Sequence, residues 1–268
     1  MSDIVRARRY ALVTGASSGI GRELAMILAR EGYALVLVAR RTEPMHALAQ
    51  QLEKAHGVPS VVVGADLGSP EGVRTVMREV STRQLDLEVL VNNAGFGLAG
   101  GFEVLPAEQQ LGMIDLNIRA LTALTREVLP GMLARRRGYV LNVSSSAAFQ
   151  PGPLMSVYYA SKAYVQSFSN ALHEEMRGRG VTVTALCPGY TETEFAARAA
   201  EHQRPRLFSG PLGSLDARQV AELGYRAMVR GRAVVVPGFT NRLGAWLMPF
   251  TPLAVKLRIT RYLNASGA

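Results

Sequence analysis

The sequence predicts an α/β protein built on a parallel sheet with helices covering both faces. Three observations carry the prediction. Strand-like and helix-like stretches alternate along the chain with no linker or repeat, so its 268 residues are expected to form one domain, 1–268. Several strand-like runs, such as 34–38, are apolar nearly throughout, as strands buried on both sides are. The first run, 10–14, opens into Thr14-Gly15-Ala16-Ser17-Ser18-Gly19-Ile20-Gly21 and then a helix-like stretch, 22–31, with Leu24, Ile27 and Leu28 on one side.

Strand, glycine-rich turn and helix together bring backbone N–H groups and a helix N-terminus against a phosphate. Gly15 and Gly19 allow the tight turn and a close approach of ligand, and Gly21 lets the helix pack near the strand. The second strand, 34–38, ends in Ala39-Arg40-Arg41. An acid near this point of a dinucleotide site binds the adenosine ribose hydroxyls, whereas an arginine suits a 2′-phosphate. Two arginines and no acid predict NADP(H) as the preferred cofactor, with NAD(H) possible; the bland alternative is a solvated basic turn.

Further along, 44–56 reads as a helix, 58–64 as the third strand with Asp66-Leu67 after it, and 72–82 as a helix. Residues 87–91 form an apolar run interrupted only by Glu88 and end in Asn92-Asn93-Ala94-Gly95. A long helix is expected over 106–129, with Asn117 in its interior, where asparagine competes for backbone partners and is a poor helix former. Strand 139–143 delivers Ser144-Ser145-Ser146, helix 157–177 follows, then strands at 181–187 and 233–236.

Tyr158-Tyr159-Ala160-Ser161-Lys162 opens that helix. Residues four apart share a helical face, so Tyr158 and Lys162 stack one above the other. A free phenol, with a pKa of about 10, stays protonated at neutral pH, and a neighbouring ammonium group favours the phenolate. The pair can serve as an acid or base, with Ser145 placed to hold a substrate oxygen. In isolation the same spacing is surface decoration; its company argues otherwise.

Taken together, Thr14-Gly-x-x-x-Gly-Ile-Gly21, Asn92-Asn-Ala-Gly95, Asn117, Ser145, Tyr158-x-x-x-Lys162 and Pro188-Gly189 resemble the short-chain dehydrogenase/reductase family, over roughly residues 10–193. The resemblance implies a three-layer, doubly wound Rossmann-type sheet of about seven strands and hydride exchange between a nicotinamide cofactor and a carbonyl or alcohol. It implies that Gly15, Ser17, Ser18, Gly19, Ile20 and Gly21 face the pyrophosphate and adenosine side and that Asp66 and Leu67 meet the adenine. Asn92, Ala94 and Gly95 are to pass along the ribose. Pro188, Gly189, Thr191 and Thr193 are to meet the nicotinamide end. Tyr158 is implied as proton donor or base, and Lys162 as the group that lowers its pKa and binds the nicotinamide ribose. Ser145 positions the substrate oxygen, and Asn117 supports a water-linked proton path to Lys162. A nucleotide-binding regulatory or membrane-surface protein on the same fold, with little turnover, is the competing class.

Beyond Thr193 the resemblance thins. Residues 190–215 are expected to form a substrate lid and 240–268 an apolar and basic tail, weak pointers to a lipophilic substrate. Residues 243–255 carry no charge but are broken by Pro249 and Pro252, too short and interrupted to span a bilayer. Lys256, Arg258 and Arg261 then alternate with Leu257, Ile259, Tyr262 and Leu263. A segment packed over the cleft or a subunit interface is the plainer expectation. The sharper one is a flap resting weakly on anionic lipid.

Composition excludes other classes. Cys187 is the single cysteine, and His46, His56, His173 and His202 are scattered, so neither a disulfide nor a metal site is expected. Net charge is +9, in clusters at Arg6-Arg8-Arg9, Arg40-Arg41 and Arg135-Arg136-Arg137 and in the tail. No nucleic-acid motif accompanies them, so a solvated basic surface is expected and nucleic acid is not. The basic N-terminus has no apolar signal-peptide core, and the uncharged stretch 138–161 contains Asn142, Gln150 and two prolines. A cytoplasmic protein is expected, or one peripheral at the membrane, as a homodimer or homotetramer acting on a small carbonyl or alcohol.

Overall fold

Seven strands are present in the computed structural model, which describes residues 9–209 and 214–266. They are β1 (Arg9–Thr14), β2 (Ala34–Ala39), β3 (Ser60–Gly64), β4 (Asp86–Asn92), β5 (Gly138–Val143), β6 (Val181–Leu186) and β7 (Val234–Val235). All pairs are parallel, in the order β3-β2-β1-β4-β5-β6-β7. Arg6 and Arg8 of the first basic cluster lie outside the described residues.

Period-two alternation divides the strand residues between two cores. Val13, Leu35, Leu37, Val91 and Leu141 point to one face. There they meet α1 (Gly19–Arg30), α2 (Glu43–His56) and α8 (Ala217–Val229). Leu12, Val36, Leu90, Val140 and Val183 point to the other, under α3 (Pro70–Thr82) and α5 (Leu121–Ala134). Burial on both faces explains why the strands read as apolar runs. The chain leaves β1 toward β2 and β3, then crosses to β4 on β1's other side, so the crevice at the carboxyl ends of β1 and β4 is a topological switch point.

The helix expected over 106–129 is three pieces. α4 (Ala107–Ile114) passes into a π-helical turn, Asp115–Ala120, which carries Asn117, and then into α5. α5 runs through Pro130, whose missing N–H made 129 the natural stopping point on sequence grounds. α6 (Ser156–Glu175) is the helix of Tyr158 and Lys162.

The lid contains α7 (Glu194–Ala199) and a 3-10 turn, Arg206–Ser209, with 210–213 outside the described residues. The tail folds as α9 (Phe239–Leu247), a 3-10 turn at Met248–Phe250, and α10 (Leu253–Asn264). None of the helices among the described residues is long and apolar enough to cross a membrane.

The basic cluster before β5 is less solvated than expected. Glu88 is buried and held by Arg9 (3.3 Å), Arg137 (2.6 Å) and the Tyr33 hydroxyl (3.1 Å), while Arg135 pairs with Asp86 at 2.7 Å. These pairs tie β4 to the turn before β5 and explain a carboxylate inside an otherwise apolar strand.

Candidate active site

A cleft of about 740 Å³ opens over the switch point. Gly15 and Gly19 hold positive φ angles of 66° and 54° at its edge, which side chains rarely adopt. Behind them, a Cβ on Gly21 would lie 2.3 Å from the Gly15 carbonyl oxygen, so Gly21 seats α1 against the loop and does not line the cleft. Ser18 is the N-cap of α1 yet makes no side-chain cap, and no acid occupies the first turn. Uncapped donors at a helix N-terminus are an anion seat. With Arg40 and Arg41 at the end of β2 and Asp66 and Leu67 after β3 on the same wall, the residues fit a nicotinamide dinucleotide.

The two asparagines after β4 divide their work. Asn93 donates through Nδ2 to the carbonyls of Thr14 (3.0 Å) and Gly15 (3.2 Å), pinning the turn. The Thr14 hydroxyl accepts from the N–H groups of Asn93 and Ala94. Asn92, expected along the cofactor, points the other way: it is buried and donates to Thr125 Oγ1 and Asn142 Oδ1 at 3.0 and 2.9 Å. It is absent from the cleft wall, whereas Asn93, Ala94 and Gly95 line it. Strand alternation sends neighbours to opposite sides, and the point where β4 ends decides which is which.

Ser145, Tyr158 and Lys162 meet at the inner end of the cleft. Ser145 ends β5's extension and accepts from Ala147 N–H at 3.1 Å, which fixes its hydroxyl as the cap of a 3-10 turn. Burial pushes the Tyr158 phenol well above its ordinary pKa, and the Ser145 hydroxyl draws it back in part. The expected lowering by Lys162 is not what governs this phenol. The Lys162 ammonium lies 5.9 Å from the Tyr158 ring centre and donates to the Val143 carbonyl at 2.9 Å. Burial lowers its own pKa to about 8. Cys187 is buried nearby, its thiol pushed up to about 12 by burial, so it is inert at neutral pH.

Asn117 stands behind these groups, outside the cleft wall. Its Nδ2 donates to Phe96 O (2.9 Å) and Ser161 Oγ (3.0 Å), and its Oδ1 accepts from Phe96 N–H (3.1 Å). A Cβ on Gly95 would meet Asn117 Oδ1 at 2.9 Å and Lys162 Nζ at 3.5 Å, so only glycine lets the two approach. The direct partners of Asn117 are thus backbone and Ser161, not Lys162.

The outer wall comes from elements whose contribution the sequence left open. Pro188, Gly189, Thr191 and Thr193 line the cleft, as expected. Thr193 packs against Gly19, where a Cβ would come within 2.9 Å of its methyl group. Phe195 of α7 lies 5.4 Å from the Tyr158 ring, and Tyr190 stacks on Phe208 at 4.9 Å. Ala245, Met248 and Leu263 close the far side, so the tail does cover the cleft. The Tyr159 hydroxyl donates to Asn264 Oδ1 of α10 at 3.1 Å, giving Tyr159 a structural place away from Ser145. His and acidic residues form no metal-binding group among the described residues.

A family model described as short chain dehydrogenase matches residues 9–204. The chain belongs to the short-chain dehydrogenase/reductase family. It is 37% identical over 191 residues to a very-long-chain 3-oxoacyl-CoA reductase of Anas platyrhynchos, covering 70% of this chain and 61% of the duck protein. It is similar in structure to a short-chain dehydrogenase of Sphingobium yanoikuyae in complex with NADPH, with a TM-score of 0.79 and 32% identity over 94% of this chain and 96% of that one. A short-chain dehydrogenase/reductase of Burkholderia phymatum in complex with NAD is also similar, with a TM-score of 0.78, 25% identity, and 90% and 92% of the two chains covered. Both solved relatives carry a nicotinamide cofactor, NADPH in one and NAD in the other.

Proposed function

We propose that this family member is an NADP(H)-dependent oxidoreductase of residues 1–268 that interconverts a carbonyl and an alcohol, reducing a lipophilic ketone or aldehyde. The observation that carries the reading is the meeting of Ser145, Tyr158 and Lys162 at the closed end of a cleft whose outer wall is aromatic and aliphatic. A nicotinamide cofactor, when bound, would supply the hydride that the carbonyl carbon takes up. Ser145 holds the carbonyl oxygen, and the Tyr158 hydroxyl donates its proton to that oxygen, leaving a phenolate that solvent reprotonates. A raised phenol pKa keeps that proton in place until the forming alkoxide, a far stronger base, takes it. Lys162, anchored on Val143, contributes a positive charge beside the developing phenolate and a donor for the nicotinamide ribose. Asn117 bonds Phe96 and Ser161 next to that lysine, which supports its part in a water-linked route to Lys162.

Cofactor choice rests on Arg40 and Arg41, since a guanidinium pairs with a phosphate where an acid would repel it. The duck relative's name, an acyl-CoA reductase, and the apolar wall around Phe195, Met248 and Leu263 both favour a hydrophobic substrate. The test is cofactor absorbance with NADPH and NADH over a panel of ketones, aldehydes and alcohols. Turnover of bulky apolar ketones with NADPH supports the reading. Cofactor binding without turnover of any member supports the regulatory alternative instead.

A second reading concerns the tail. α9 has no buried residue, and Phe239, Trp246 and Phe250 are 70%, 65% and 75% exposed. Arg226, Arg230, Arg232 and Arg242 ring a smaller pocket beside Phe239. An apolar face with a basic rim suits weak contact with an anionic membrane surface, with lipophilic substrate entering beside Met248. Exposed Phe102, Val104 and Leu111 offer a separate apolar patch for a homodimer or homotetramer. A cytoplasmic, peripheral protein is consistent with both.

A further inference from the structure

The lid helix α7 brings two charged side chains to the adenosine end of the cleft, and neither belongs to the turn after β2. Glu194, its first residue, pairs with Arg41, and its Oε2 also accepts from the Ser18 hydroxyl at 3.1 Å. One carboxylate therefore joins the lid, the phosphate loop and the end of β2. One turn later, Arg198 lies 4.0 Å above the Phe96 ring and lines the same wall as Arg40 and Asp66. Burial and the positive charge of Arg40 both lower the Arg198 pKa, the mark of two guanidinium groups facing one space. Arg40 makes no ion pair among the described residues, and Arg41 is already engaged.

Two like charges at a shared wall repel unless an anion stands between them. Glu194 meets Arg41 at the surface, both side chains being more than half exposed, where an ion pair is cheaply exchanged. A dianion arriving at the end of β2 would find Arg40 and Arg198 outside any ion pair among the described residues, with only the more distant charges of Asp66 and Glu201 acting on Arg198, and Arg41 held by a carboxylate that repels it.

We propose that Arg198, carried on the lid, is a second reader of the cofactor's 2′-phosphate beside Arg40, and that Glu194 competes with this phosphate for Arg41. Resting on the NADP(H) reading above, the proposal makes the phosphate part of what seats the lid. With NADPH bound, Arg40 and Arg198 clamp one phosphate between the sheet and α7. With NADH, the clamp has nothing to close on, and the Glu194 bridge, the packing of Phe195 on Tyr158 and the Ala99–Ala199 backbone bond hold the helix without it. A ligand that gains a contact only when the lid is seated must shift the lid toward that state.

Titrations with 2′,5′-ADP and 5′-ADP, which differ by the 2′-phosphate and undergo no turnover, test this on the full chain. Arg198→Met keeps an apolar stem against Phe96 and removes the charge. It should weaken 2′,5′-ADP binding roughly tenfold, the loss of a charge-assisted contact, and leave 5′-ADP unchanged. Arg198→Lys should restore part of the loss, which a merely structural role for the guanidinium stack would not predict. Glu194→Gln should tighten 2′,5′-ADP roughly two- to fivefold, the worth of an exposed ion pair. Trypsin cleavage after Arg206 reports the lid: 2′,5′-ADP should slow it more than 5′-ADP in the wild type, and the difference should vanish in Arg198→Met. If Arg198→Met binds 2′,5′-ADP as the wild type does while Arg40→Ala does not, the lid proposal is overturned and the NADP(H) reading stands. If the wild type binds both nucleotides equally, the NADP(H) reading itself fails.

Discussion

Lys162 is a cation in a place where a charge is costly, and that makes its protonation visible in stability. Burial lowers its pKa from 10.5 to about 8. Below pH 8 both folded and unfolded chains hold the proton, and the burial penalty is in full force. Between pH 8 and 10.5 the unfolded chain still holds a proton that the folded chain has released, so this group makes folding more favourable as pH rises. The buried Tyr158 works in the opposite direction at higher pH, because its raised pKa keeps the phenol protonated only in the folded state. Comparison with Lys162→Met isolates the lysine. Urea denaturation midpoints should show the wild type gaining on the variant from pH 8 upward, and a constant difference would contradict the burial account. Helical spacing and a strand end made the grouping of Ser145, Tyr158 and Lys162 legible in the sequence, but only in the company of the other motifs. The anchor of Lys162 on Val143 was not, since it depends on how closely α6 packs on β5. Nor was the opposite facing of Asn92 and Asn93, which one residue of strand length decides.

Among elements, the tail and the lid have the most to add. α10 is held to the start of α6 by Asn264, whose side chain accepts from Tyr159 Oη and donates to Pro153 O at 3.0 Å while fully buried. Thr260 supports the same seam by donating to Pro151 O at 3.0 Å. Asn264→Ala should cost about 1–3 kcal/mol in denaturant unfolding, because it strands a phenol and a carbonyl out of water. A change within error would place the seam elsewhere. The sequence showed this region as apolar and basic but not as two helices, because Pro249 and Pro252 mask the periodicity on either side. In the structure the prolines sit in and after a 3-10 turn that joins the helices. α8 went unread although its signals are present: Asp216 accepts from Gln219 N–H as a cap, and Val220, Ala221, Gly224 and Ala227 share its inner face. The π-helical turn has no signal beyond Asn117 itself, whose side chain bonds both backbone groups of Phe96.

At the scale of the molecule, one parallel sheet gathers residues from Gly15 to Leu263 around one cleft. Strand order was not readable from the sequence, because apolar runs show that a sheet is parallel but not which strands are neighbours. Surface distribution is a second whole-molecule property: the exposed rings of Trp246 and Phe250 lie 5.7 Å apart, and Leu253, Arg258 and Arg261 of the helix that follows are exposed as well. On the membrane reading, the full chain should cosediment with anionic vesicles at low salt and be released at high salt or by truncation at Arg242. Equal recovery in the supernatant with and without vesicles would leave the tail as a cover for the cleft alone. The central claim, however, is that Tyr158 delivers the proton in an NADPH-dependent carbonyl reduction. The direct measurement is kcat/KM with NADPH and a bulky apolar ketone for Tyr158→Phe and Tyr159→Phe, beside NADPH affinity for both. Tyr158→Phe should lose at least roughly 10²–10⁴-fold in kcat/KM with NADPH affinity nearly unchanged, and Tyr159→Phe should keep most of its turnover. Near wild-type turnover in Tyr158→Phe would remove that residue from the mechanism and contradict the account.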